Sequence, residues 1–329
     1  MTGPRFGVVG VGRLGGAHAR VIQEIPDVEL SGVHDIDPGR AREVAEQVGT
    51  RSFPEIGDLL ELADAVVVAV TTSAHHAVAR AALEAGCNVL VEKPLTPSLE
   101  EADDLIALAD ARGLFLGVGH VERFNPAIRA CRPYLNDPRF LACQRLATFQ
   151  PRGTDVPVML DLMIHDIDLV LGLVDSEVES VHALGVPLLT DSVDMANARI
   201  VFRNGAVADI SASRVSAERT RQLRLFQPSG YFSLDLAEGK GEYLRRRQDV
   251  DAAALFKKGG APDLSLASVV ERVALEAEPV EPLRLELEAF RDVLLGLPSD
   301  AATAADGRAA LEVALRVGNE IERSSHVPV

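Results

Sequence analysis

Over residues 1–120 the chain alternates short β-branched apolar runs with longer stretches in which apolar positions recur every three or four residues. That alternation marks βαβ units on a parallel sheet. It predicts strands near Phe6–Val9, Val28–His34, Ala65–Val70, Asn88–Val91 and Leu114–Val118. Helices are predicted near Arg13–Glu24, Pro38–Val48, Ser73–Ala85 and Ser98–Ala111, with Ser73 and Ser98 placed to act as N-caps. A short strand over Val48–Phe53, leading to a Pro54–Leu62 helix, completes the set. The run Ala65–Val70 lacks polar alternation, as a strand covered on both faces does, so it belongs in the centre of the sheet.

Past residue 120 the pattern changes. A helix begins at Asn125–Arg129, a strand is expected over Phe140–Phe149, and a helix over Val156–Val174. Strands then follow in succession at Val178–Val186, Met195–Phe202, Val207–Arg214, Gln222–Phe226, Tyr231–Leu236 and Glu242–Arg246. Asn204-Gly205 lies between two of them, a hairpin signal because both residues tolerate positive φ. Leu264–Val280 has no clear pattern, and two helices, Glu281–Leu295 and Thr303–Glu322, close the chain around the breaker Gly296–Asp300. The predicted class is α/β: an N-terminal Rossmann dinucleotide-binding domain over 1–120, then an α/β domain over 121–329 with an open, mostly antiparallel sheet. The length of 329 residues also calls for two domains. The helix 303–322 is expected to pack back on the first.

Composition narrows the partners. A net charge of −16 argues against nucleic acid and anionic membrane surfaces, which need a basic footprint, but leaves room for a local basic pocket. No apolar run approaches a membrane span, and Met1–Arg5 leads straight into the first strand without the features of a signal peptide. Cys87, Cys131 and Cys143 are an odd number without CxxC spacing, so neither a disulfide framework nor a metal site is indicated. A cytoplasmic protein is expected.

The candidate chemistry begins with Gly10-x-Gly12-x-x-Gly15, in which Arg13 and Leu14 fill the gap. It stands between a strand and a helix. Gly10 permits the tight turn, Gly12 lets a pyrophosphate approach the backbone, and Gly15 lets the helix pack on the strand. Asp35 closes the next strand twenty residues on, where a carboxylate accepts from an adenosine ribose and disfavours a 2′-phosphate. That selects NAD over NADP, with Arg40 and Arg42 near enough in sequence to weigh against it. Ligands of such sheets bind beyond the carboxyl ends of the strands, so Thr71, Thr72, Glu92, Lys93 and His120 join the glycine loop along one crevice.

On the helix 156–174, Leu160, Ile164, Ile167, Leu171 and Val174 form an apolar stripe. Asp161, His165 and Asp168 form a second stripe one residue away that should face partly inward. Asp161 and His165, four apart, are neighbours, and a carboxylate beside an imidazole suits a general base near neutral pH; an ordinary surface ion pair has the same spacing. Lys93, fixed by Pro94, is a cation able to stabilise an alkoxide as hydride leaves the same carbon, or else a solvated strand-end lysine.

The order Gly10-x-Gly12-x-x-Gly15, Asp35, Glu92-Lys93-Pro94, Asp161-x-x-x-His165 resembles the Gfo/Idh/MocA family, the glucose–fructose oxidoreductase and inositol dehydrogenase relatives. The resemblance implies Lys93, Asp161 and His165 as the catalytic group, and His75 keeps the family's histidine position. Val70-Thr71-Thr72 departs from the Thr-Pro-Asn that many members carry there. Within the family, Gly119–Pro126, containing His120, Arg123, Phe124 and Asn125, and Leu160–Asp168 are similar to a group of nucleotide-sugar 3-dehydrogenases acting on UDP-N-acetylglucosamine. This implies oxidation of the sugar C3 hydroxyl. Arg123, Arg152 and Arg214 are then candidates for the diphosphate. The alternatives are a dehydrogenase of a free polyol such as an inositol, and a non-catalytic dinucleotide sensor or scaffold. An open sheet uncovered on one face also calls for a homodimer or homotetramer.

Overall fold

The computed structural model describes residues 3–150, 156–250 and 266–325, and the chain divides into two compact units. The first comprises 1–124 and 280–315, the second 125–279 and 316–329.

In the first unit, strands β1 (Arg5–Val9), β2 (Glu29–His34), β3 (Ala65–Val68), β4 (Asn88–Glu92) and β5 (Leu116–Gly119) form a parallel sheet in the order β2-β1-β3-β4-β5. The helices are α1 (Arg13–Glu24), α2 (Pro38–Val48), α3 (Ile56–Leu60), α4 (His75–Glu84) and α5 (Leu99–Arg112). β3 is central and buried along its whole length, as its unbroken apolar run requires. The strand expected over 48–53 is reduced to a single parallel bridge, Val33 to Ser52, in which Val33 N–H donates to Arg51 O and Phe53 N–H to Val33 O, each at 2.9 Å. Ser98 caps α5, its Oγ accepting from Glu101 N–H at 3.3 Å. Ser73 caps nothing: a 3₁₀ turn over Thr72–Ala74 precedes α4.

The second unit opens with α6 (Pro126–Cys131) and β6 (Phe140–Leu146). Where one α-helix is expected over 156–174, a π-turn over Met159–Met163 precedes α7 (Ile164–Leu173), and Ile164 N–H reaches back five residues to Met159 O. The wider turn changes which side chains face inward. Met159 and Met163 are buried in place of Leu160, and the expected stripe resumes at Ile164 and Ile167. Then come β7 (Val178–Val186), β8 (Met195–Phe202), β9 (Val207–Ser213), β10 (Thr220–Gln227), β11 (Gly230–Asp235), β12 (Lys240–Arg246) and β13 (Val270–Leu275). They form an eight-stranded sheet in the order β13-β12-β11-β10-β6-β9-β8-β7, antiparallel except for β6 beside β9. β13 falls in the stretch that carries no clear sequence pattern. At the Asn204-Gly205 turn only Gly205 has positive φ (82°), and the Asn204 Oδ1 accepts from Ala206 N–H instead. Every second residue of β8 (Ala196, Ala198, Ile200, Phe202) is buried on one face.

The chain then returns to the first unit. Helix α8 (Pro282–Leu294) places Leu283, Leu287 and Phe290 in the same apolar cluster as Phe6, Ile22 and Leu90, with the Phe290 ring 5.3 Å from that of Phe6. A single cut after residue 120 does not describe this arrangement, because apolar residues on α8 complete the core beside β1 and α1. Helix α9 (Ala304–Ser325) begins in the first unit and ends in the second.

Candidate active site

The glycine loop is built as its residues dictate. Gly10 has φ +82°, and a Cβ there would lie 2.8 Å from Ala69 O; a Cβ on Gly15 would lie 1.8 Å from Gly10 O. Both positions exclude any side chain. Gly12 has open space where a Cβ would stand, and α1 starts there with no side-chain cap and no acidic residue in its first turn. Its leading N–H groups face an open, uncapped end, which fits a dinucleotide pyrophosphate. Arg13 and Leu14 are exposed beside it.

Asp35 stands at the end of β2, tied to this loop. Its Oδ2 accepts from Val11 N–H at 2.7 Å and its Oδ1 from Asp37 N–H at 2.9 Å, so the carboxylate is held in place with lone pairs left for ribose hydroxyls. Arg40 donates from Nε to Val11 O at 2.8 Å and pairs through Nη1 with Glu43 at 2.7 Å, while Arg42 turns back to Pro38 O. Neither arginine is paired with Asp35.

At the next strand ends, Thr71 and Thr72 are at the surface and His75 is not. His75 is 1% exposed, with Nδ1 2.8 Å from Pro94 O and Nε2 3.2 Å from Val70 O. It links the chain after β3 to the turn after β4, and burial holds its pKa below that of a free imidazole. The Lys93–Pro94 peptide is cis. Lys93 is partly exposed, and its N–H donates to Glu92 Oε2 at 3.2 Å. Glu92 itself is buried and lies 2.7 Å from His18 Nε2. Burial favours its neutral form, but the His18 contact and the charge and N–H of Lys93 outweigh this and hold it below the usual carboxylate range. His120 and Phe124 are buried beyond β5. Arg123 pairs with Asp306 at 3.3 Å; burial raises the Asp306 pKa, and Arg123 with Thr303 reverses that and lowers it.

In the second unit, Asp161 lies on the π-turn and His165 on the first turn of α7, both partly exposed, while Asp168 is buried. Asn125 is buried at the start of α6, where Oδ1 accepts from Ala127 N–H at 3.0 Å and Nδ2 donates to Leu236 O at 2.8 Å. Arg214 is 5% exposed and donates from Nη2 to Val156 O, just ahead of the π-turn, with Nε 3.9 Å from Asp194. Arg152 lies outside the described residues.

Four buried residues are not among the candidates that the sequence singles out. Arg145 on β6 and Asp166 on α7 form a buried pair, and Glu286 joins His18 beside Glu92, the three ligand atoms lying within 4.8 Å of one another. Two of the four left a trace in sequence. Arg145 occupies the inward position after Leu141 and Cys143 on β6, and Glu286 falls between Leu283, Leu287 and Phe290 on the apolar stripe of α8. A charge on a buried stripe calls for a partner.

Known proteins resemble the chain over nearly its whole length. Residues 4–120 match the Gfo/Idh/MocA oxidoreductase family, NAD-binding Rossmann fold, and residues 134–232 match the Gfo/Idh/MocA C-terminal domain. The UDP-N-acetylglucosamine 3-dehydrogenase of Acidithiobacillus ferrooxidans is 38% identical over 319 residues, 97% of each chain. A solved structure of that enzyme covers 98% of this chain and 99% of its own, with a TM-score of 0.87. The scyllo-inositol 2-dehydrogenase (NAD(+)) of Bacillus subtilis is 31% identical over 64% of this chain and 68% of its own. With a glycine loop shaped for a dinucleotide, a carboxylate at the end of β2 and a matching second domain, the chain belongs to the Gfo/Idh/MocA family of NAD-binding oxidoreductases.

Proposed function

We propose that the protein oxidises the C3 hydroxyl of UDP-N-acetylglucosamine to the 3-keto sugar, using NAD in preference to NADP. The observation that carries this is similarity to an enzyme of that activity across 97% of both chains, together with Lys93, Asp161 and His165 in the expected order. NAD, when bound, supplies the hydride acceptor. The glycine loop and the uncapped end of α1 bind its pyrophosphate, and Asp35 its adenosine ribose. Thr71, Thr72 and Glu92 line the same strand ends.

Lys93 orients the C3 hydroxyl and stabilises the negative charge that builds on its oxygen. His165 takes the hydroxyl proton on a ring nitrogen, and Asp161 orients that ring and raises its basicity. His120, Arg123 and Phe124 contribute to the sugar-nucleotide site, with Arg123 and Arg152 as donors to the diphosphate. Asn125 and Arg214 act at one remove: Asn125 caps α6, and Arg214 holds the backbone ahead of the Asp161 turn.

Incubation with NAD and UDP-N-acetylglucosamine, followed at the reduced-nicotinamide absorbance, tests the proposal directly. Reduction by free inositols and not by the UDP-sugar would favour the polyol reading that the inositol dehydrogenase relatives support, and no reduction by any sugar would favour a sensor.

We further propose a homodimer or homotetramer assembled through the eight-stranded sheet. Its outward face carries Leu184, 59% exposed, and Phe226, 42% exposed beside the rings of Phe140 and Tyr231. A monomer by light scattering at micromolar concentration would contradict this. Among the described residues no helix is long and apolar enough to cross a membrane. The three cysteines are free and buried, which supports the proposal of a cytoplasmic enzyme.

A further inference from the structure

Three titratable side chains meet inside the first unit from three separate elements: His18 from α1, Glu92 from the end of β4 and Glu286 from α8. They are 0%, 8% and 2% exposed. Such a trio could in principle hold a metal ion. The geometry favours a hydrogen bond. His18 Nε2 and Glu92 Oε1 are 2.7 Å apart, the length of a charge-assisted hydrogen bond, whereas two ligands on a tetrahedral zinc ion stand about 3.3 Å apart. The imidazole of His18 stands within 4.8 Å of both carboxylates, where a ring N–H can donate to one of them.

Glu92 is the member of the trio that faces Lys93. One carboxylate oxygen is held by His18 from behind, and the other accepts the Lys93 N–H at 3.2 Å. Its side chain lies against the backbone of Gly119, where a Cβ would come within 3.1 Å of the carboxylate carbon. The carboxylate is therefore clamped by β5 on one side and by the imidazole on another.

We propose that His18 and Glu286 are positioning residues for Lys93: by locking the Glu92 carboxylate in place they fix the backbone from which the Lys93 side chain reaches the substrate. This rests on the role given to Lys93 above. Neither residue touches substrate. Their effect passes through Glu92 to the placement of one ammonium group, where a displacement of about 1 Å is enough to reduce turnover by about 10²-fold.

The test is a double-mutant cycle in the full-length protein, pairing Glu286→Gln and Glu286→Leu with Lys93→Met. Glu286→Leu would extend the apolar stripe of Leu283, Leu287 and Phe290, so it should leave the melting temperature unchanged or raised, and the Kd for NAD should move less than about twofold. The expected result is a fall in kcat of about 10- to 100-fold in both Glu286 variants, with less than about a twofold further effect when Lys93 is already methionine. His18→Gln should behave in the same way. Wild-type kcat in the folded Glu286 variants, or an equal loss in the Lys93→Met background, would overturn the proposal. Near-normal turnover in Lys93→Met alone would instead remove Lys93 from the mechanism, and this inference with it.

Discussion

Arg145 and Asp166 form a bidentate ion pair in the interior of the second unit, Nε to Oδ2 and Nη2 to Oδ1 both at 2.9 Å, with side chains 3% and 2% exposed. The pair joins β6 to α7 one residue from His165. Cys143, on the same strand, has its thiol pKa pushed well up by burial and by the charge of Asp166. Removing one partner strands a buried charge. Arg145→Met should destabilise the protein by about 3–5 kcal/mol, and the double variant Arg145→Met/Asp166→Leu should recover most of it. Urea unfolding of both variants decides the point; equal midpoints would mean that Asp166 finds another partner.

Cofactor choice should depend on Asp35. Its carboxylate is held by Val11 N–H and Asp37 N–H, and ribose hydroxyls would add two charge-assisted bonds. Asp35→Ala should weaken NAD by about tenfold or more and narrow the gap to NADP, because a hydrogen bond to a charged group contributes about 1.5–3 kcal/mol. Titration calorimetry with both dinucleotides measures this. Tighter binding of NADP than of NAD by the unaltered protein would refute the assignment.

His165 and Lys93 should separate in their pH–rate profiles. With His165 as the base, His165→Gln abolishes the near-neutral ionisation in kcat/KM, whereas Lys93→Met lowers the rate and leaves that ionisation visible. Its loss in Lys93→Met alone would exchange the two roles.

Asp194 should make stability depend on acid. Burial disfavours its charge, but N–H groups of Leu189, Leu188 and Thr190 and the Thr190 hydroxyl outweigh this and hold its pKa far below the usual range. A carboxylate depressed by folding stabilises the native state above its unfolded pKa, and that contribution is lost as pH falls toward the folded value. Asp194→Asn should therefore lower the melting temperature most near neutral pH and progressively less below about pH 4. A constant difference across that range would show that the hydrogen bonds, and not the charge, carry the effect.

Much of this protein is written locally in its chain. The glycine loop could be read because Gly10 and Gly15 are excluded from bearing side chains by neighbours a few residues away and by the strand next door, and because Asp35 follows at a spacing set by one βαβ unit. The limits of α1 and α2, the Ser98 cap and the alternation of β8 follow equally from short-range geometry. Asp161 and His165 lie on consecutive elements, the π-turn and the first turn of α7, as their four-residue spacing requires.

What the sequence did not determine depends on partners far along the chain. Val270–Leu275 becomes a strand because β12 offers an unpaired edge, and a mixed apolar and acidic stretch does not announce that partner. The π-turn at Met159–Met163 carries no composition cue of its own, yet it decides that Met159 and Met163, not Leu160, face inward. Glu286 reads alone as a misplaced charge on an apolar stripe. Only the return of α8 across the first unit brings it to His18 and Glu92, because burial makes a carboxylate's meaning depend on what lies opposite it, and in this fold that is decided by residues about 270 and about 190 positions earlier in the chain.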